Sequence, residues 1–106
     1  MTRTDLPEVL LEAVDAAVAG PLSGYRPLRV FLFGSRARGS ADVRSDYDIG
    51  VDAGRPLDAR DMADLRDLLD AAPILARVDV VDFRQVDAQF REIALRDVVP
   101  LHDRAA

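Results

Sequence analysis

Leu28-Arg29-Val30-Phe31-Leu32-Phe33, a nearly unbroken apolar run that stops at Gly34, constrains this chain more than any other segment. A strand with one wet face alternates apolar and polar residues, whereas a continuous run of branched and aromatic residues reads as a strand buried on both faces. The whole chain has 106 residues, 49% of them hydrophobic, which makes one domain (1–106) with a real but modest core.

Periodicity places the other elements around that strand. From about Asp5 to Ala19, Leu6, Leu10, Val14 and Val18 recur every four residues, Pro7 stands in the first turn, and Gly20-Pro21 ends the pattern, which predicts an amphipathic helix. A second strand is expected over Asp46 to Asp52, and a helix over about Asp58 to Ala71, with Met62, Leu65, Leu69 and Ala72 on one face and Pro73 beyond it. A third strand over about Arg77 to Phe83 rests on Val78, Val80 and Val81, and a last helix over about Gln85 to Arg96 aligns Val86, Phe90 and Ile93. No repeat or linker interrupts this order. It predicts an α/β (α+β) fold, a small mixed β-sheet with helices packed on one face and the loop after the first strand at its edge.

Composition narrows the function. The formal net charge of −5 argues against a protein that grips nucleic acid by its backbone, because such binding is dominated by release of counterions from phosphates. A small anion remains within reach of a local basic cluster or metal. There is no cysteine, so disulfides and thiolate metal sites are excluded. With no apolar leader at the start and no stretch of roughly 18 apolar residues, the expectation is a cytoplasmic protein with no membrane partner.

The chemistry concentrates between Gly34 and Asp48. Gly34-Ser35 follows the buried strand directly, and a turn that brings backbone N–H groups onto a phosphate needs residues this small. Ser35 adds a hydroxyl, Arg36 and Arg38 put positive charge beside the turn, and Gly39 lets the chain turn away. The Gly34 to Gly39 spacing matches half of a Walker A loop, but Ser40-Ala41 stands where that motif needs Lys and then Ser or Thr, and a dinucleotide fingerprint fails at its first glycine pair.

Asp46 and Asp48 are two positions apart, so on a strand both point from one face while Tyr47 and Ile49 point from the other, Tyr47 into the core. Asp79 sits between Val78 and Val80, and if its strand lies beside the second, three carboxylates converge. At 4 Å and an effective dielectric of about 20, each like-charged pair costs about 4 kcal/mol, a poor structural device unless a cation is present. Oxygen ligands favour Mg²⁺, with Mn²⁺ an alternative, and two such ions could bridge the acids and a triphosphate. Taken singly, Asp-x-Asp can be a solvated strand face, Gly-Ser a strand-ending turn and Asp79 an edge charge; their joint order is what points to a nucleotide site. Asp42, Asp52 and Asp82 are left out of the site, Asp82 by its parity. His102 is read as solvated in a polar C-terminal tail.

With those residues in view, Gly34-Ser35-Arg36-Ala37-Arg38-Gly39 followed by Ser45-Asp46-Tyr47-Asp48-Ile49-Gly50-Val51 resembles the minimal nucleotidyltransferases of the DNA polymerase β-type superfamily. That resemblance covers nearly the whole chain and implies a palm-like nucleotidyltransferase fold. It implies that Gly34 and Ser35 bind the triphosphate of ATP, with Arg36, Arg38 and Ser45 in the same binding segment, and that Asp46, Asp48 and Asp79 are ligands for two Mg²⁺ ions. Asp79 would also orient or deprotonate the acceptor hydroxyl. In members paired with toxins it implies a partner, an all-helical HEPN-domain ribonuclease, neutralised by attachment of AMP from ATP to a tyrosine. Two rival readings remain: an antitoxin acting by occlusion alone, and transfer to a small molecule or an RNA 3′ end. The segment Asp97-Val98-Val99-Pro100-Leu101-His102 departs from the glycine and branched-aromatic pair with which such proteins often close.

Overall fold

The computed structural model describes residues 2–42 and 44–106. A short 3-10 turn at Arg3–Asp5 leads into helix α1 (Glu8–Ala19), strand β1 (Leu28–Phe33), a short helix α2 (Gly34–Arg38), strand β2 (Tyr47–Asp52), helix α3 (Ala59–Asp70), strand β3 (Val78–Asp82), helix α4 (Ala88–Ala94) and strand β4 (Val99–Arg104). The strands form one mixed sheet in the order β3-β2-β1-β4. β1 pairs antiparallel with both β2 and β4, while β2 and β3 run parallel, as the intervening helix α3 requires.

Strand parity divides the apolar residues into two cores. Val30 and Leu32 of β1 join Ile49, Val51, Val80, Val99 and Leu101 on the face covered by α1 and α3, which bury Leu10, Val14, Leu65 and Leu69 there. Phe31 and Phe33 point the other way and cluster with Phe83 under Ala94 and Leu95. The two long helices lie on one face, but the expectation that all the helices do so is corrected by α4. The opposite face carries α4 over three phenylalanines, and this second cover accounts for the unbroken apolar run of β1. Because β1 is interior, the segment after it leaves from the end of a central strand and not from the side edge of the sheet.

Two further expectations from the sequence are corrected. The polar tail is the edge strand β4: Leu32 pairs with Val99, Phe31 with Pro100, and a bulge shifts the register before Val30 meets His102. Pro100, Asp103 and Arg104 hide this strand from pattern reading, but an edge tolerates proline, and Arg104 anchors the end by donating to the carbonyls of Leu22, Ser23 and Tyr25 at 3.1 to 3.3 Å. His102 is therefore half-buried in a strand and not solvated; its Nε2 is buried without a hydrogen-bond partner among the described residues. The last helix starts later than Gln85, because Asp82 takes the preceding residues into a turn, accepting from Arg84 N at 2.9 Å and Gln85 Nε2 at 2.9 Å. Asp87 then caps α4, its side chain accepting from Phe90 N at 2.7 Å.

Candidate nucleotide site

The residues expected to bind phosphate form a helix of their own. Gly34–Arg38 makes one tight turn at the end of β1, closed by Gly39 in the left-handed region at φ 78°. Gly39 N–H donates to Arg36 O at 3.3 Å and Ser40 N–H to Ser35 O at 3.0 Å, the paired bonds of a Schellman ending. So Gly39 does turn the chain away as its position suggests. At the other end Gly34 has φ +77°, and a Cβ built on it would collide with Oδ2 of Asp48. The turn and the carboxylate are in van der Waals contact, which only glycine permits.

Asp48 reaches that place by register. It pairs with Phe33 on β1 and with Asp79 on β3, so the two acids are direct neighbours on adjoining strands. Asp46 stands just before β2, which begins at Tyr47 and not at Asp46. Burial first, then the charges of Asp79 and Asp46, push the Asp48 carboxyl above its ordinary value, against the opposing pull of Arg38. Asp79 makes an ion pair with Arg77, Nε to Oδ1 2.9 Å, the acid being 35% and the arginine 75% exposed. Among the described residues no three His, Cys, Asp or Glu side chains are gathered as a metal-binding group.

The arginines divide. Arg38 is exposed and acts on Asp48 through its charge. Arg36 bridges the two halves of the motif: its Nε donates to Ser45 O at 2.9 Å, and its guanidinium lies 3.9 Å from the Tyr47 ring centroid. Tyr47 is buried, as expected from its parity. Ser45 shapes the intervening loop, its Oγ accepting from Asp42 N at 3.1 Å. The three acids left out of the site have structural partners. Asp82 accepts from Leu57 N at 2.8 Å, Asp52 from Gly54 N and Arg84 Nε, and Asp42 from Arg44 N.

Sequence periodicity misjudges the face of α4. Val86, Phe90 and Ile93 read as a core stripe, yet Phe90 is 41% and Ile93 54% exposed. Together with Phe33, Gly34, Arg38 and Ala94 they line a cavity of about 240 Å³ beside the glycine turn. A second cavity of about 280 Å³, lined by Arg66, Asp70, Arg77 and Asp79, flanks the far side of the acid pair. A larger concavity, about 630 Å³ between α3 and the Asp82 end of β3, holds none of the expected site residues.

The mixed sheet sets a glycine turn against a pair of strand-borne acids. Residues 22–105 match the family model described as polymerase beta, nucleotidyltransferase, and the chain belongs to that family. It is 34% identical to a protein assigned as a minimal nucleotidyltransferase, covering 85% of this chain and 94% of that one with a TM-score of 0.56. Its fold is also shared by a toxin–antitoxin structure with AMP-PNP (24% identity, 88% of this chain and 73% of that one, TM-score 0.69). A third similar structure is an MNT antitoxin in complex with a tri-AMPylated HEPN toxin from Shewanella oneidensis (21% identity, 91% and 71% covered, TM-score 0.64). No curated protein matches the chain. Among the described residues no helix is long and apolar enough to cross a membrane.

Proposed function

We propose that the single domain 1–106 is a cytoplasmic antitoxin that transfers AMP from ATP to a protein hydroxyl, a tyrosine of a cognate HEPN ribonuclease toxin. The observation that carries this reading is the register pairing of Asp48 with Asp79 beside a glycine turn packed on Asp48. The likeness to structures of an AMP-PNP-bound toxin–antitoxin pair and of a tri-AMPylated toxin with its antitoxin supports the choice of nucleotide and partner.

The donor set suits hard divalent cations, since Asp46, Asp48 and Asp79 offer only oxygen and Asp48 feels the like charges of Asp79 and Asp46, only partly offset by Arg38. These three would hold two Mg²⁺, or Mn²⁺, which neutralise charge on the triphosphate and the leaving pyrophosphate. Gly34 and Ser35 receive the phosphates, with Arg38 adding positive charge at the rim. Arg36 fixes the Ser45 loop against the turn, so that Asp46 and Asp48 keep their place relative to it. Asp79 exchanges its bond to Arg77 for the acceptor hydroxyl, orients it and takes its proton. The hydroxyl oxygen then bonds to the α-phosphorus of ATP as the bond to the bridging oxygen breaks, and pyrophosphate leaves.

The test is to incubate the chain with α-labelled ATP, Mg²⁺ and the product of the gene adjacent to its own, which this reading expects to be a HEPN protein. Label is expected on the HEPN protein, and Asp48→Ala should remove it. Label on neither protein while ATP is bound would make the chain an antitoxin acting by occlusion; label on RNA would redirect the reading to 3′-end transfer. If Mg²⁺ and ATP together produce no thermal shift in the native chain, the enzymatic reading fails.

A further inference from the structure

The cavity beside the glycine turn is built unlike the rest of the surface. Two of its walls are Phe90 and Ile93, one turn apart on α4, and they are among the few large apolar side chains left exposed. The Phe90 ring is not loose: it stands edge-to-face on Phe33, with centroids 6.2 Å apart at 86°, and tilts against Phe83 at 5.9 Å. An aromatic held by two buried rings yet still 41% exposed is a pre-set platform. The floor is Gly34 itself, the rim is Arg38, and no acid or amide side chain lines the space.

Resting on the nucleotidyltransferase reading above, we propose that this cavity receives the base of the nucleoside triphosphate, with Phe90 as its stacking surface and Ile93 closing the side. Phosphates on Gly34-Ser35 put the nucleoside next to the same glycine, and about 240 Å³ has room for a purine ring system. Because the lining side chains offer Arg38 as their only hydrogen-bonding group, selection acts through stacking area more than through the edge of the base. Purine nucleotides are favoured over pyrimidine ones, and adenine and guanine are separated weakly. A docked partner helix is the competing occupant, and the shared glycine favours the base.

The test measures binding and not turnover. Calorimetry with Mg²⁺ compares a non-hydrolysable ATP analogue, the matching CTP analogue and inorganic tripolyphosphate on the native chain, on Phe90→Ala, on Phe90→Trp and on Ile93→Ser. Loss of a stacking partner predicts about tenfold or more weaker binding of the ATP analogue by Phe90→Ala. Tripolyphosphate binding stays unchanged, which also shows that the turn is intact, and Phe90→Trp retains the analogue. Ile93→Ser weakens the analogue less, and the native chain binds the CTP analogue more weakly than the ATP analogue. Undiminished analogue binding by Phe90→Ala, or equal loss of analogue and tripolyphosphate, would each overturn the base pocket while leaving the nucleotidyltransferase reading standing. Failure of the native chain to bind either triphosphate with Mg²⁺ would overturn both.

Discussion

Gly34 has two demands on it, a positive φ and the absence of a side chain where Asp48 Oδ2 lies. Alanine there meets both at once, a backbone strain of about 1 kcal/mol and a carboxylate that must swing away. Gly34→Ala should fold with a slightly lower melting temperature but lose transfer almost completely; a variant that melts lower and still transfers normally would separate the turn from the chemistry. Asp48 makes the opposite trade. Burial and the neighbouring Asp79 and Asp46 raise its carboxyl above 3.8, so the folded state holds this proton more tightly than the unfolded chain does. Its contribution to stability is therefore full below the ordinary carboxylate value and is lost as pH rises through the raised folded value. Asp48→Asn, measured by thermal melting without divalent cation, should melt above the native protein at neutral pH, with the gap closing in acid, while transfer is abolished.

At the scale of elements, β2 and the turn after β3 hold the site in register. Gly50 lies where β2 passes between two phenylalanines, and a Cβ there would stand 2.6 Å from Phe31 Cζ and 2.7 Å from Phe83 Cε1. Gly50→Ala overpacks that cluster and should cost about 1–3 kcal/mol, read as a drop in melting temperature of about 4–8 °C per kcal/mol. Asp82 is 5% exposed and serves Leu57 N, Arg84 N and Gln85 Nε2. Asp82→Ala leaves the buried Leu57 N–H unpaired and should cost about 1–3 kcal/mol in denaturant unfolding, with nucleotide affinity much less affected. β1, β2, α1, α3 and β3 are legible in the sequence to within one to three residues, because their apolar spacing matches their burial. α2 is not, since five residues that begin at Gly34 and stop before Gly39 are too few to show a period. β4 is not, since its pairing to β1 depends on contacts with residues about 70 positions earlier, which local propensity does not record.

For the whole molecule, β1 lies between β2 and β4 with a core on each face, whereas α4 and its C-terminal cap add only Phe90, Ala94 and Leu95 to the smaller one. Native-state hydrogen exchange should find the β1 amides slowest and those of α4 fastest among the helices after α2, and ATP with Mg²⁺ should slow α4 if the base rests on it. The candidate motif residues, Gly34, Ser35, Asp46, Asp48 and Asp79, were legible in the sequence alone, because the types suited to close phosphate approach and to oxygen ligation are few and their strand spacing is local. Their meeting was not. Parallel pairing of β2 with β3 puts Asp79 beside Asp48, the turn of β1 puts Gly34 against it, and Arg36 ties the loop down. Those are contacts between distant segments, decided by which apolar faces can be buried together, and the same packing leaves Phe90 and Ile93 as exposed walls of the cavity beside the glycine turn.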